Sequence, residues 1–336
     1  MAADSFYVAD PTERASWRLA VLMGANSRTY KFALAEALLG FAEEGREDVT
    51  LAEFAVPYSL GLVRHQLHTP QASSAVEETP TDFLVIAREE AEETLRLGHP
   101  TERLSAAAQR SMPAMVMQRF HNLKGGSEVP HRFYDLQGTG QRRTVVLTPE
   151  LRRLAASEQA PVLRDELAAR WRIVESCFAA GIGRGVVQAG LSVDRDAGVL
   201  LDRQRRRSVA GVVEGVIGFQ HGRCLICWMP ILSKESAVVD HVFPLAFMRR
   251  LAGVNAWHGP DLDALWNLAA AHARCNSDKS AELPGSALLL RLAARNAAIR
   301  RSPKRLRDTL ALSLGRSVGD GSTAQWMRLF REIAAL

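Results

Sequence analysis

The chain has 336 residues, of which 47% are hydrophobic and 24% are charged, so a soluble, globular protein of two or three domains is expected. The formal net charge of +5 is unevenly distributed. Residues 181–336 hold 22 Lys and Arg against 13 Asp and Glu, giving +9, whereas residues 1–180 carry −4. A phosphate-rich partner is therefore expected in the second half of the chain.

No apolar run approaches the ~20 residues that a membrane helix needs, and the N-terminus lacks the basic-then-apolar order of a signal peptide. These features exclude a membrane partner and predict a cytoplasmic location. Three of the four cysteines, Cys224, Cys227 and Cys275, fall in one short region. A reducing compartment would keep them as metal-binding thiols. Cys177 is predicted to be a buried helical residue.

The first half of the chain is predicted to be mainly helical. Apolar spacing near 3.6 predicts helices over residues 17–24, 27–44, 51–67, 81–97, 101–111 and 160–182. Between them, residues 131–136 and 143–147 alternate and are joined by a Gly138-Thr-Gly140 turn, which predicts a β-hairpin. The hairpin could touch nucleic acid or simply close the domain. We therefore expect residues 1–180 to form a helical domain whose role is regulation, partner docking or DNA recognition.

A glycine-rich stretch over residues 181–198 predicts a domain boundary before a second domain at 199–336. A helix is expected to begin near residue 203 and to lead into the region of the cysteines. Four arginines in five residues, which could track DNA phosphates or form a solvated helical face, are Arg203, Arg205, Arg206 and Arg207. Further helices are predicted over 286–301 and 322–335, the second with core aromatic residues. The expected fold class is α+β, mainly helical.

Two pairs of metal-ligand residues stand 44 residues apart. Cys224 and Cys227 form a C-x2-C pair, and His272 and Cys275 form an H-x2-C pair. Four such ligands in two knuckles predict a closed structural Zn²⁺ site. Polar residues that zinc does not need lie between and beside the knuckles, namely Asp240, His241, Asn267 and Asn276. They predict a second, open site.

This stretch resembles the HNH nuclease family, in the subtype whose ββα-metal fold is held by zinc. Asp240-His241 matches the acidic residue and first histidine of that family, Asn267 its central asparagine, and Asn276 its closing His or Asn. The resemblance covers roughly 60 residues, with a core motif at 223–284, and it departs from the family where His272 replaces a frequent cysteine ligand. It implies that Asn267 ties down the loop and orients the catalytic histidine.

The chemistry of phosphodiester hydrolysis suits these residues. A neutral His241 can act as general base near neutral pH. Asp240 and Asn276 offer an incomplete set of oxygen ligands, which suits a catalytic Mg²⁺ or Mn²⁺. Arg274 and Lys279 could contact phosphates or could be ordinary surface cations.

The sequence therefore predicts a metal-dependent endonuclease that nicks or cuts DNA. The alternative is a non-catalytic zinc-binding module that recognises nucleic acid or protein. Chains of this layout resemble HNH effectors of prokaryotic restriction and anti-phage defence, including the nuclease component of Zorya-type systems. That resemblance implies other defence components as partners and leaves oligomeric state open.

Overall fold

The computed structural model of the chain describes residues 2–24, 27–73, 76–123, 126–179, 191–194, 199–202, 207–233, 236–244, 247, 262, 264–280, 282–302 and 321–335. The chain forms two compact units. The C-terminal unit contains Met1–Phe6, Pro161–Ala169 and Val187–Leu336, and the N-terminal unit contains Tyr7–Ala160 and Arg170–Val186. The predicted class is confirmed at this level: the fold is mainly helical α+β with small sheets.

Nine helices are described before residue 180. They are α1 (Ala2–Ala9), α2 (Glu13–Leu22), α3 (Tyr30–Glu43), α4 (Leu51–Gln66), α5 (Phe83–Glu89), α6 (Ala91–Leu97), α7 (Glu102–Met115), α8 (Pro149–Ala155) and α9 (Ala160–Ala179). Several begin at a side-chain cap. Thr50 and Glu53 form a reciprocal capping box at the start of α4, and Thr148 caps α8 with proline at its first position.

Two of the helix predictions need correction. The single helix predicted over 81–97 is two helices, because the chain leaves helical geometry at Glu90 (φ −94°, ψ 3°) between α5 and α6. The helix predicted over 101–111 is longer, because α7 runs through Pro113 to Met115. Pro113 lacks the N–H that would bond the carbonyl of Gln109, and the helix ends two residues later.

The predicted hairpin is confirmed, and it belongs to a larger sheet. Strands β2 (Tyr134–Gln137) and β3 (Thr144–Leu147) pair antiparallel. Gly138 in their connection has φ +75°, a conformation that side chains rarely adopt. A third strand, β1 (Asp48–Thr50), pairs with the other edge of β3, so the strand order is β1-β3-β2. The sequence analysis missed β1, which has only three residues.

The C-terminal unit contains a small sheet that the sequence analysis did not predict. Strands β4 (Leu191–Asp194), β5 (Val199–Asp202) and β6 (Arg207–Gly211) form an antiparallel sheet in the order β4-β5-β6. The helix predicted from residue 203 is therefore wrong over residues 207–211. Pairing with β5 overrides a helical preference that is weak in a segment containing valine, serine and glycine.

The described remainder of the C-terminal unit, which contains the candidate metal ligands, has a strand pair and four helices. These are α10 (Val212–Ile217), β7 (Ala237–His241), β8 (Leu268–His272), α11 (Ala273–Lys279), α12 (Ser286–Arg301) and α13 (Thr323–Ala334). The helices predicted over 286–301 and 322–335 are confirmed. Four buried aromatic rings, from Phe243, Trp266, Trp326 and Phe330, pack with centroids 5.5–6.3 Å apart. The aromatic residues of α13 therefore belong to the core, as predicted.

Candidate metal centre

Strands β7 and β8 place the site residues at opposite ends of one antiparallel ladder. Ala237 pairs with His272 at one end, and His241 pairs with Leu268 at the other. Helix α11 follows β8 without a loop, because His272 is the residue immediately before its first turn. The helix packs against both strands. The sequence thus folds here into two strands and a helix.

The two predicted knuckles come together. The ligand atoms of Cys224, Cys227, His272 and Cys275 all lie within 4.8 Å of one another. His272 Nδ1 is 3.5 Å from Cys227 Sγ and 3.8 Å from Cys275 Sγ. Three sulfurs and one imidazole nitrogen in this arrangement could hold a zinc ion.

The imidazole of His272 is held in the tautomer that a metal requires. Its Nε2 lies 3.1 Å from the carbonyl oxygen of Pro230, to which it can only donate a hydrogen bond. The proton is therefore on Nε2, and the lone pair of Nδ1 faces the three sulfurs. A hydrogen bond from the second ring nitrogen to a carbonyl is the usual support of a metal-binding histidine.

The thiols differ in their electrostatic surroundings. Although burial works in the opposite direction, hydrogen bonds from the backbone of Cys227, His272 and Ile226 bring the pKa of the Cys224 thiol below its ordinary value. Burial and the neighbouring sulfurs of Cys227 and Cys224 raise the pKa of Cys275 to about 12. Three thiolates at these positions would repel one another, and a divalent cation among them would remove that repulsion.

The second group of predicted residues begins at the end of β7. Asp240 has a side chain that is 44% exposed, and its Oδ1 lies 3.9 Å from Nδ1 of His241, which is itself 8% exposed. Successive residues of a strand point to opposite faces, so the carboxylate and the imidazole leave β7 in different directions. The pair is within reach of one small ligand at the strand end.

The side chain of Asn267 links two backbone segments by hydrogen bonds. It is fully buried, and its Oδ1 accepts a hydrogen bond from Phe243 N at 2.8 Å. Its Nδ2 donates to the carbonyl oxygens of Leu262 at 2.8 Å and Phe243 at 3.2 Å. These bonds fix the chain directly after His241.

Asn276 lies on α11, next to Cys275. Its Oδ1 is buried, and no residue in the described part of the chain forms a hydrogen bond with it. Leaving a buried amide oxygen unpaired costs free energy, and such an atom calls for an explanation. A cation bound at this oxygen would supply the partner.

Lys279 and Arg274 differ in environment. The Lys279 ammonium donates to the carbonyl oxygens of His241 at 3.2 Å and Ser280 at 3.4 Å. Burial lowers the pKa of Lys279, while the nearby Asp240 carboxylate acts against that shift. The side chain of Arg274 is 94% exposed. Of the other predicted nucleic-acid contacts, Arg207 begins β6, and Arg203, Arg205 and Arg206 lie outside the described residues.

Three buried or half-buried residues that the sequence analysis missed hold this region together. Gln220 exchanges two hydrogen bonds with the backbone of Ala270 in β8, at 2.8 and 3.0 Å. Arg291 and Arg295, one turn apart on α12, both donate to backbone carbonyls. Burial lowers the pKa of Arg295 to about 9. Arg295 lies one turn from Arg291 in a helix of Leu, Ala and Arg, and the sequence alone does not show which of these arginines is buried.

The chain gives no match to protein-family models, to curated proteins or to solved structures. Within the described part of the chain, no helix is both long and apolar enough to cross a membrane.

Proposed function

We propose that the protein is a metal-dependent endonuclease of the HNH type that hydrolyses phosphodiester bonds of DNA. The observation that carries the proposal is the buried Oδ1 of Asn276, which has no hydrogen-bond partner among the described residues. It lies on the helix that packs against the Asp240-His241 strand. A zinc-binding module that served only to hold the chain together would have no need for this buried orphan oxygen. The proposal includes zinc in the Cys3His cluster as a structural ion.

The oxygens of Asp240 and Asn276 fit a hard divalent cation. One is an accessible carboxylate and the other a buried amide carbonyl without a partner. Two protein oxygens leave most of an octahedral set to water and phosphate, as Mg²⁺ and Mn²⁺ prefer. When bound there, such an ion would polarise a phosphate oxygen and stabilise the leaving oxygen.

His241 is the proposed general base. Its imidazole would take a proton from the attacking water. The backbone after it is fixed by Asn267, and its carbonyl oxygen is bonded by Lys279. Asn267 thus acts by positioning the histidine, and the exposed Arg274 is available for a flanking phosphate.

The structural zinc serves a different purpose. Four protein ligands leave no coordination position for water or substrate. Because Cys275 and Asn276 are neighbours on α11, the zinc fixes the helix that presents the Asn276 oxygen. The zinc-free protein should therefore lose its structure here, whereas removal of His241 should affect only chemistry.

The second candidate is a zinc module that binds nucleic acid without cutting it. The burial of His241, which is only 6% exposed, favours this alternative, because a general base must meet water and substrate. The carry-over to anti-phage defence, with other defence components as partners, rests on the family resemblance and stays a prediction.

Plasmid cleavage tests the proposal. The purified full chain would be incubated with supercoiled plasmid in Mg²⁺, in Mn²⁺ and in EDTA. We expect nicked or linear product that requires the divalent ion and is lost in His241→Ala, with zinc content and melting temperature unchanged. His68→Ala, at an exposed histidine of the N-terminal unit, is the matched control and should cleave normally. A wild-type protein that retards DNA but never cuts it under either metal would support the second candidate.

A further inference from the structure

The turn between the first two cysteines needs support from outside the knuckle. Its chain closes with a hydrogen bond from Trp228 N to the carbonyl oxygen of Cys224, at 2.9 Å. Trp228, directly after Cys227, has φ +65°. A bulky side chain rarely adopts this left-handed conformation, so the surrounding structure must hold it there.

Arg291 of α12 supplies such support. Its Nη1 donates to the carbonyl oxygen of Leu225 at 3.0 Å and also to that of Ile226. These are the two residues that separate Cys224 from Cys227. The guanidinium carbon also lies over the Trp228 ring, 5.7 Å from its centroid. One side chain thus contacts every residue of the turn that is not itself a ligand.

Helix α12, which carries Arg291, is itself held in place. One helical turn further along α12, Arg295 is 3% exposed and donates to the carbonyl oxygens of Trp266 at 2.8 Å, Leu265 at 3.3 Å and Leu268. These carbonyls flank Asn267. Helix α12 is therefore bonded to the Asn267 segment through one arginine and to the cysteine turn through the other.

The opposite edge of the turn is held by β8, because Leu225 N donates to the carbonyl oxygen of Ala270 at 3.1 Å. The cysteine turn lies between two supports, of which β8 ends in the candidate ligand His272 and α12 carries no ligand. We propose that Arg291 is a positioning residue of the metal centre, which raises zinc affinity by holding the Cys224–Cys227 turn in its metal-binding shape. This inference rests on the zinc assignment of the proposed function and not on nuclease activity.

Zinc affinity is the direct test. The full-length protein would be titrated against a chromogenic zinc chelator under reducing conditions. Loss of an outer-shell partner typically weakens metal binding by about 10- to 100-fold, and we expect a loss of that size for Arg291→Leu. Arg291→Lys keeps the charge but not the planar fork, so it should remain several-fold weaker than wild type. Arg328→Lys, at an exposed arginine of α13, should match wild type.

A second measurement separates positioning from general destabilisation. In EDTA, the urea midpoint of Arg291→Leu should match that of wild type, because the substitution acts through metal affinity. At the same excess of zinc, the midpoint of the variant should be lower, because the stabilisation by a ligand follows RT ln(1 + [L]/Kd) and the variant has the larger Kd. A midpoint lowered equally in EDTA and in zinc, or a zinc affinity within twofold of wild type, would overturn the inference. If the wild-type protein itself held no stoichiometric zinc, the zinc assignment would fail. If it held zinc and Arg291→Leu bound zinc equally well, only the role of Arg291 would fail.

Discussion

The ammonium of Lys279 donates a hydrogen bond to the carbonyl oxygen of His241 at 3.2 Å, which ties the end of α11 to the end of β7. Asn276 lies three residues earlier on the same helix, and Asp240 directly precedes His241. The bond therefore fixes the separation between the two proposed ligands of the catalytic cation. This bond gives Lys279 a role in positioning the end of β7, whereas the sequence analysis predicted only a phosphate contact or a surface cation.

Lys279→Met separates these two roles. If Lys279 positions the strand end, we expect cleavage to fall roughly 10-fold and the Mg²⁺ concentration for half-maximal rate to rise. The salt dependence of DNA binding should stay the same. A phosphate contact would instead lower the slope of log K against log salt by about one. Measuring the slope in the metal-free protein keeps cleavage out of the comparison.

Alanine substitution should lower stability at Asn267 and lower cleavage without loss of stability at Asn276. Asn267→Ala leaves buried partners at Phe243 and Leu262 unpaired, so it should cost about 2–4 kcal/mol in the free energy of unfolding. Asn276→Ala removes an oxygen that has no partner, so its stability should stay within about 0.5 kcal/mol of wild type. Its cleavage should nevertheless fall roughly 100-fold. Urea unfolding and plasmid cleavage of both variants would check this contrast, and equal destabilisation would contradict it.

The four residues that could hold a zinc ion could be found from the sequence, because the spacing within each pair is set by local geometry. Two ligands with two residues between them can face one ion, wherever the pairs meet in the fold. The supports of the centre could not be found in this way. Arg291 and Arg295 sit in a Leu/Ala/Arg helix, and only tertiary contacts distinguish an arginine that binds backbone carbonyls from one that faces water.

The sheet of the N-terminal unit shows a related limit. The β2–β3 hairpin has a local signature in its glycine turn, whereas β1 lies between two helices and has three residues. Its identity as a strand depends on pairing with β3, about 95 residues further along the chain. Likewise, the segment after Arg207 forms a strand because β5 is beside it, which no periodicity within five residues can reveal.

A buried lysine should make the stability of the protein depend on alkaline pH. Lys31 in α3 is 8% exposed, and burial lowers its pKa to about 8. The unfolded chain, with a lysine pKa near 10.4, binds more protons than the folded chain between these two values, so stability should rise with pH across that window. Above the unfolded pKa the buried Lys31 is neutral in both states and costs no stability. As pH falls through about 8, the folded protein must bury the charged ammonium, and this stability is lost.

Lys31→Met removes this titration. The difference in unfolding free energy between wild type and Lys31→Met should therefore change by roughly 2–4 kcal/mol between pH 7.5 and pH 10.5, in favour of wild type at the higher pH. Urea unfolding of both proteins across the range would measure it. A difference independent of pH would mean that the Lys31 ammonium is stabilised by its bonds to the Phe120 and Ala20 carbonyls.

Removal of zinc should unfold the region that presents the proposed catalytic residues. Cys275→Ser deletes one of the four ligands, and zinc-finger peptides gain about 10–16 kcal/mol from their metal. That free energy is comparable with the whole stability of an ordinary domain, about 5–15 kcal/mol, so we expect zinc content near zero and a melting temperature lower by roughly 10 °C or more. Cys177→Ser, at the cysteine of α9, is the matched control and should retain one zinc per chain. A Cys275→Ser protein with the melting temperature and zinc content of wild type would show that the cluster is not the metal site. If the variant lacked zinc but still cut plasmid, the zinc would not be needed for the chemistry of His241.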